Sequence, residues 1–196
     1  MAEVLVPFPE PLAPTTNVRS TLLCASIQSL RNRGLYEHYL QALTPEQQKD
    51  VQALTAGVWL PIERAVEHYR ACDRLPLTKE QRIEIGGDVA QRIQQSLISV
   101  IVRLSREGGM TPWSVVTNAE KLRQRSWQGG GIRVSKLGPK DAMLEWGEQP
   151  CACSVHFRLG FLGILKSLTE LYARRAFVSE DPPPNDCTVI ARLSWA

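Results

Sequence analysis

The sequence predicts an α+β fold, with an N-terminal helical region followed by a small antiparallel β-β-β-α-β sheet packed on helices. Three observations carry this. Apolar residues recur at three- and four-residue steps through most of residues 20–128, and helix-start signals punctuate that region. From Gly129-Gly130-Gly131 onward the apolar period shortens to two. A last amphipathic run, Phe161, Ile164, Leu165, Leu168, Leu171 and Tyr172, returns to helical spacing before a final alternating stretch. The expected organisation is an extended arm over 1–16, a helical region over 17–128 and a sheet with one crossing helix over 129–196. Residues 17–196 are expected to form one compact domain.

Pro7, Pro9, Pro11 and Pro14 forbid a helix in the arm and favour an extended chain. Leu22, Leu23, Ile27 and Leu30 form the face of a first helix that Gly34 stops, and a short helix follows over Leu35–Leu43. Thr44-Pro45-Glu46-Gln47 is a capping box with Pro at the first helical position, and Gly57 is its expected end. Pro61 opens a helix whose face is Ile62, Ala65, Val66, Tyr69 and Cys72, with Trp59 placed as a hydrophobic staple. Thr78 repeats the capping logic with Gln81. The helix it starts is expected to run toward Arg106, through Val89, Ile93, Leu97, Ile101 and Leu104, with Gly108-Gly109 ending it. Gly86-Gly87 inside it costs about 1 kcal/mol per Gly relative to Ala, so a close helix crossing or a kink is expected there. Thr111-Pro112 caps one more helix, which carries Trp113, Val116 and Leu122.

Ile132, Val134 and Leu137, then Ala142, Leu144 and Trp146, alternate with polar residues around the turn Gly138-Pro139-Lys140-Asp141, which reads as a hairpin. Cys151, Cys153, Val155, Phe157 and Leu159 read as the inward face of a third strand, with His156 and Arg158 outward. A helix from Gly160 to about Arg175 follows. After a Pro182-Pro183-Pro184 loop, Cys187, Val189, Ala191, Leu193 and Trp195 close the sheet.

Of 196 residues 43% are apolar and 22% charged, and the net charge is +3, ordinary values for a soluble globular chain. Residues 1–110 are balanced, so the whole positive excess lies in residues 111–196. An odd set of five cysteines, with no signal-peptide pattern at the start, points to reduced thiols and a cytoplasmic location. Ser96–Leu104 is broken by Arg103 and too short to span a membrane.

Cys151, Cys153, His156 and Cys187 include the residue types of a zinc site. Their phase on the expected strand turns His156 away from the thiols, so they read as packing groups and no metal is expected. His38 and His68 sit on expected helices between apolar neighbours. Neither a GxSxG, a Walker loop nor an HExxH motif occurs, and Gly129–Gly131 follows a helix rather than a strand. An enzymatic reading rests only on His156 beside Arg158, and no catalytic residue is assigned. Lys121, Arg123, Arg125, Arg133, Lys136 and Lys140 lie within twenty residues, around Trp127. They form the alternative site, a patch for nucleic acid or another anion, against which stands the plainer reading of a solvated helix face and strand face.

Phe157-Arg158-Leu159-Gly160 running into Phe161-Leu162-Gly163-Ile164-Leu165, with a closing strand from Cys187 to Ser194-Trp195, carries a resemblance. It is similar to the C-terminal half of the superfamily of haem-dependent nitric-oxide sensors, four-vinyl-reductase-type ligand-binding domains and core subunits of TRAPP tethering complexes. Trp59-Leu60-Pro61, His68-Tyr69 and Leu137-Gly138-Pro139-Lys140 resemble phrases in uncharacterised myxobacterial paralogous proteins. The resemblance implies a helix–sheet sandwich that encloses an apolar ligand, or that dimerises and binds a partner. The Tyr-x-Ser-x-Arg motif with which the haem sensors hold propionates does not occur, so no haem and no other cofactor is expected.

The expectation is therefore a non-catalytic sensory or adaptor domain that self-associates as a homodimer and binds a protein partner. A small apolar ligand is placed between sheet and helices, near Trp113, Trp146, Phe157, Phe161, Leu165 and Trp195. The arm and the Pro182–Pro184 loop are expected contact points for a second chain. Nucleic acid belongs only to the alternative reading.

Overall fold

The computed structural model describes residues 2–104 and 111–196, with side chains left aside for 95–104. In chain order the elements are β1 (Glu3–Val6), β2 (Asn17–Arg19), α1 (Ser20–Asn32), α2 (Tyr36–Gln41), α3 (Pro45–Gln52) and β3 (Trp59–Pro61). There follow α4 (Ile62–Asp73), α5 (Lys79–Leu104), α6 (Pro112–Thr117), α7 (Ala119–Arg123), β4 (Trp127–Gln128), β5 (Gly131–Gly138) and β6 (Asp141–Gly147). A 3-10 turn at Pro150–Cys153 then leads into α8 (Val155–Thr169), β7 (Ala176–Asp181) and β8 (Val189–Trp195). The expected stop at Gly108-Gly109, and the helix beyond Leu104, lie outside the described residues.

The fold is α+β. Its main sheet is antiparallel in the order β1-β5-β6-β8-β7, and β3-β2-β4 make a second, small sheet. The hairpin pairs as its alternation requires, Ile132 opposite Trp146 and Val134 opposite Leu144, with those four side chains buried. Two capping boxes form as read. The Thr44 and Gln47 side chains each take the other's backbone N–H, and Thr78 and Gln81 do the same.

The third strand is a correction. Residues 150–153 are a 3-10 turn, and α8 begins at Val155, not at Gly160. The Ser154 hydroxyl accepts the Phe157 N–H at 3.1 Å, which makes Ser154 the N-cap of a helix. Helical phase then replaces alternation: His156, Phe157, Leu159, Phe161, Leu162, Leu165 and Leu168 are buried, and Val155 is exposed. Of the cysteines expected inside, Cys151 is buried, while Cys153 and Cys187 are exposed. His156 turns inward, the reverse of the strand expectation. The strand that replaces the lost one is β7, in the stretch read as the loop after the helix. Trp59 is likewise no staple, because it lies in β3 with the Arg19 guanidinium 4.4 Å above its ring.

Gly86 and Gly163 explain why α5 tolerates its glycine pair. A Cβ added at Gly86 would collide with the Gly160 carbonyl of α8, and one added at Gly163 would collide with the Ile83 carbonyl of α5. The two helices therefore cross backbone against backbone, and only glycine fits at the contact. The glycines near the hairpin base do related work for the arm. A side chain at Gly129 would meet the Pro14 carbonyl, one at Gly131 would meet the Pro9 ring, and Gly147 faces Phe8 and Leu12. The proline arm thus lies on the end of the sheet, and β1 pairs with β5 at its edge.

At the crossing, Gly163→Ala should cost about 2 kcal/mol or more of unfolding free energy through overpacking. A Cβ at Gly160 meets nothing within 4 Å, so Gly160→Ala should be neutral or stabilising by up to ~1 kcal/mol. Urea denaturation of the two variants checks the contrast, and equal effects would contradict the crossing.

Candidate functional site

Beside the α5–α8 contact, whose Gly86 and Gly160 line it, lies a cavity of about 100 Å³ against the sheet. Val89, Val115, Leu122, Ile132, Phe161 and Leu165 supply much of its apolar wall. Trp146 packs edge-on against Phe161 at 5.2 Å and Trp127 at 5.3 Å between ring centroids, so three aromatics stiffen one side. Tyr69, Ser26 and His156 bring polar atoms to the wall.

The polar groups are tied into the helices. Arg82, buried on α5, donates to the carbonyls of Cys72 and Leu75 at 3.0 Å each and so caps the C-terminus of α4. The same guanidinium donates to His156 Nδ1 at 3.1 Å. Asp73 Oδ1 accepts the His156 backbone N–H at 2.7 Å near the N-terminus of α8. Because Arg can only donate, His156 Nδ1 carries the lone pair and Nε2 the proton. His68 lies within 2.9 Å of both the Tyr39 hydroxyl and the Ser26 hydroxyl, one at each ring nitrogen. Burial lowers the His68 pKa to about 4, and burial with the charges of His68 and Arg82 lowers that of His156 to about 3.

Of the six residues read as a ligand pocket, Trp146, Phe157, Phe161 and Leu165 line the cavity. Trp113 and Trp195 stand apart from that lining and pack edge-on against each other at 4.9 Å. The Trp113 indole donates to the Pro139 carbonyl at 3.0 Å, and Lys136 Nζ lies 5.7 Å from its ring. The basic patch is also dispersed. Arg123 is buried in a two-pronged pair with Glu120 at 2.8 Å and 2.8 Å, and Arg133 pairs with Glu145. Lys121, Arg125 and Lys140 are the exposed remainder. The sequence reading assigns Arg82, Ser26 and Tyr69 to no site, and it weighs His156 only for the metal and enzymatic readings. Arg82 shares the helical phase of Ile85 and Val89, and a charge on an apolar stripe was the available signal.

Both imidazoles are neutral in the folded chain and titrate near 6.5 when unfolded. The unfolded state therefore binds more protons below pH 6.5, so the stability these groups contribute is complete above that value. It is lost as pH falls toward 4 and 3. Urea midpoints measured from pH 7 to 4 should fall more steeply for the natural chain than for His68→Gln or His156→Gln, by about 1.4 kcal/mol per pH unit per proton. Parallel profiles would contradict the buried neutral state.

No family model and no curated protein matches the chain. Solved structures do. An unliganded Fe(II) H-NOX protein from K. algicida aligns with TM-score 0.66 and 9% identity, over 91% of this chain and 96% of that one. An oxygen-binding H-NOX domain related to soluble guanylate cyclases gives TM-score 0.57 and 12% identity, over 90% and 94%. A structure described as "Modulating Heme Redox Potential Through Protein-Induced Porphyrin Distortion" gives 0.57 and 12%, over 90% and 99%. The residues here do not fit a haem. Ligand sites typically occupy roughly 300–1,000 Å³, well above this cavity. His156 is the one imidazole on its wall, and its lone pair is committed to Arg82. The Tyr69 phenol is also on the wall, but burial pushes its pKa well above 10 and keeps it protonated. The chain has an H-NOX-like fold around a cavity that, among the described residues, presents no imidazole lone pair or phenolate to an iron.

Proposed function

We propose that this chain is a non-catalytic sensory or adaptor domain that self-associates, binds a protein partner and takes a small apolar molecule into the cavity between α5, α8 and the sheet. The supporting observation is the cavity itself, apolar, walled by Trp146, Phe157, Phe161 and Leu165, and set in the fold of domains described as binding oxygen or haem. Engineered apolar cavities of about 150 Å³ stay dry and bind benzene or xenon. A cavity of about 100 Å³ suits a guest of similar or smaller size. Ser26, Arg82 and His156 are engaged in capping and in paired hydrogen bonds, which makes them supports for the wall instead of reagents. Among the described residues no helix is long and apolar enough to cross a membrane.

Xenon is the probe. Xenon pressure should produce saturable shifts of the Trp127 and Trp146 indole resonances in the natural chain. Ala119→Leu, which adds a side chain at a cavity-lining position, should remove that response while the protein stays folded. An unresponsive natural chain would overturn the ligand reading.

A further inference from the structure

We infer that β7 is a self-complementary edge through which two copies of this chain join their main sheets into one, antiparallel about Val178. The inference rests on the reading that the domain self-associates, and it assigns the surface.

The two edges of the main sheet are built differently. At one edge β1 is four residues long, carries a register shift between Val4 and Val6, and is followed by Pro7. Shortness, a bulge and proline are the usual devices that stop an edge from recruiting another strand. At the other edge β7 is six residues long and pairs with β8 without a register shift from Ala176 opposite Trp195 to Asp181 opposite Ile190. It has no proline and no lysine, and Phe177 is 50% exposed. Among the described residues β8 is its one strand partner.

The backbone direction at this edge is fixed. Arg175 and Ala196 exchange both of their backbone hydrogen bonds, at 3.3 Å and 3.0 Å. Alternation then turns the peptide groups of Phe177, Ser179 and Asp181 toward β8, and those of Ala176, Val178 and Glu180 outward. The Ala176 N–H agrees, because it is taken by the Glu170 carboxylate at 3.2 Å and not by β8. In an antiparallel pair centred on Val178, Val178 faces Val178 of the second copy, and Ala176 faces Glu180. The Glu170 carboxylate, held by Lys166 at 2.8 Å, occupies the place of a Glu180 carbonyl of the second copy and is displaced from the Ala176 N–H when the strands pair.

The side chains match under the same operation. The segment reads Arg174-Arg175-Ala176-Phe177-Val178-Ser179-Glu180-Asp181, positive at its start and negative at its end. Antiparallel pairing about Val178 sets Arg175 of each copy opposite Asp181 of the other, on the face that carries Phe177, so that the Asp181 carboxylate, already paired with Arg192 at 2.6 Å, gains a second cation, and Arg175 keeps its place 5.3 Å from the Phe177 ring. The two Phe177 rings become diagonal neighbours, within reach of each other across the strand pair. Opposite charges at both ends and aromatic cover at the centre favour this register. A parallel pairing would set like charges against each other. A twofold axis closes the assembly at two chains and leaves no β7 edge for a third.

Sedimentation velocity across a concentration series, with charge-swapped chains, tests this. The natural chain should sediment as a dimer at high concentration. Arg175→Asp alone and Asp181→Lys alone should each shift the equilibrium toward monomer by tenfold or more, since each homodimer then carries like charges at both ends. A one-to-one mixture of those two variants should recover the dimer, because both ends regain opposite charges. Circular dichroism and melting temperature of each variant establish that it is folded, and Val178→Pro supplies a second block at an outward N–H. A dimeric natural chain whose variants all dimerise equally would overturn β7 as the interface and leave self-association standing. A natural chain monomeric throughout the series would overturn both.

Discussion

The contact on which the rest depends is the crossing of α5 and α8 with no side chain between them. Gly86 lies against the Gly160 carbonyl, and Gly163 against the Ile83 carbonyl, so helix backbones meet where most helix pairs are held apart by side chains. That approach sets the depth at which α8 sits above the sheet. It brings Phe157, Phe161 and Leu165 onto Trp146 and the inner faces of β5 and β6, and it leaves a cavity of about 100 Å³ between these helices and the sheet.

Polar groups lock the same junction. Arg82 on α5 satisfies carbonyls at the end of α4 and reaches His156 on α8, while Asp73 at the end of α4 takes a backbone N–H at the start of α8. Three helix termini therefore share one buried network, whose members are costly to leave unpaired. On the opposite flank of α5, Arg33 and the Ser29 hydroxyl meet Asp88 and fix α1 to the same helix. The proline arm closes the hairpin end by packing on Gly131 and Gly147.

Much of this was legible in the residues. Thr44 and Thr78 announced their helices through side chains that satisfy backbone donors locally, and the hairpin's alternation at Ile132, Val134, Leu144 and Trp146 fixed its buried face. Gly86-Gly87 signalled a close crossing. The failure at 151–159 has a clear cause. Cys151, Val155, Phe157 and Leu159 satisfy a period of two, yet Phe157, Phe161, Leu165 and Leu168 also satisfy helical steps, and Gly160 reads locally as a boundary. Gly160 is instead mid-helix, where its carbonyl packs on Gly86, and the N-cap at Ser154 is the signal that separates helix from strand here. Strand β7 was missed because its pairing with β8 is set by tertiary register. The segregation of Trp113 and Trp195 from the cavity depends likewise on where α6 lands, which local pattern does not encode.

Fold and chemistry diverge here. The backbone follows that of H-NOX domains, while the cavity wall offers an imidazole whose lone pair faces Arg82 and a phenol held protonated by burial. A helix crossing at glycine contact leaves no gap for a planar macrocycle. Titration of the purified chain with haem, followed by absorbance in the Soret region, tests that divergence most directly. The expected spectrum is that of free haem plus protein, without a stoichiometric complex. A one-to-one species with a shifted Soret band, lost in His156→Ala, would contradict it.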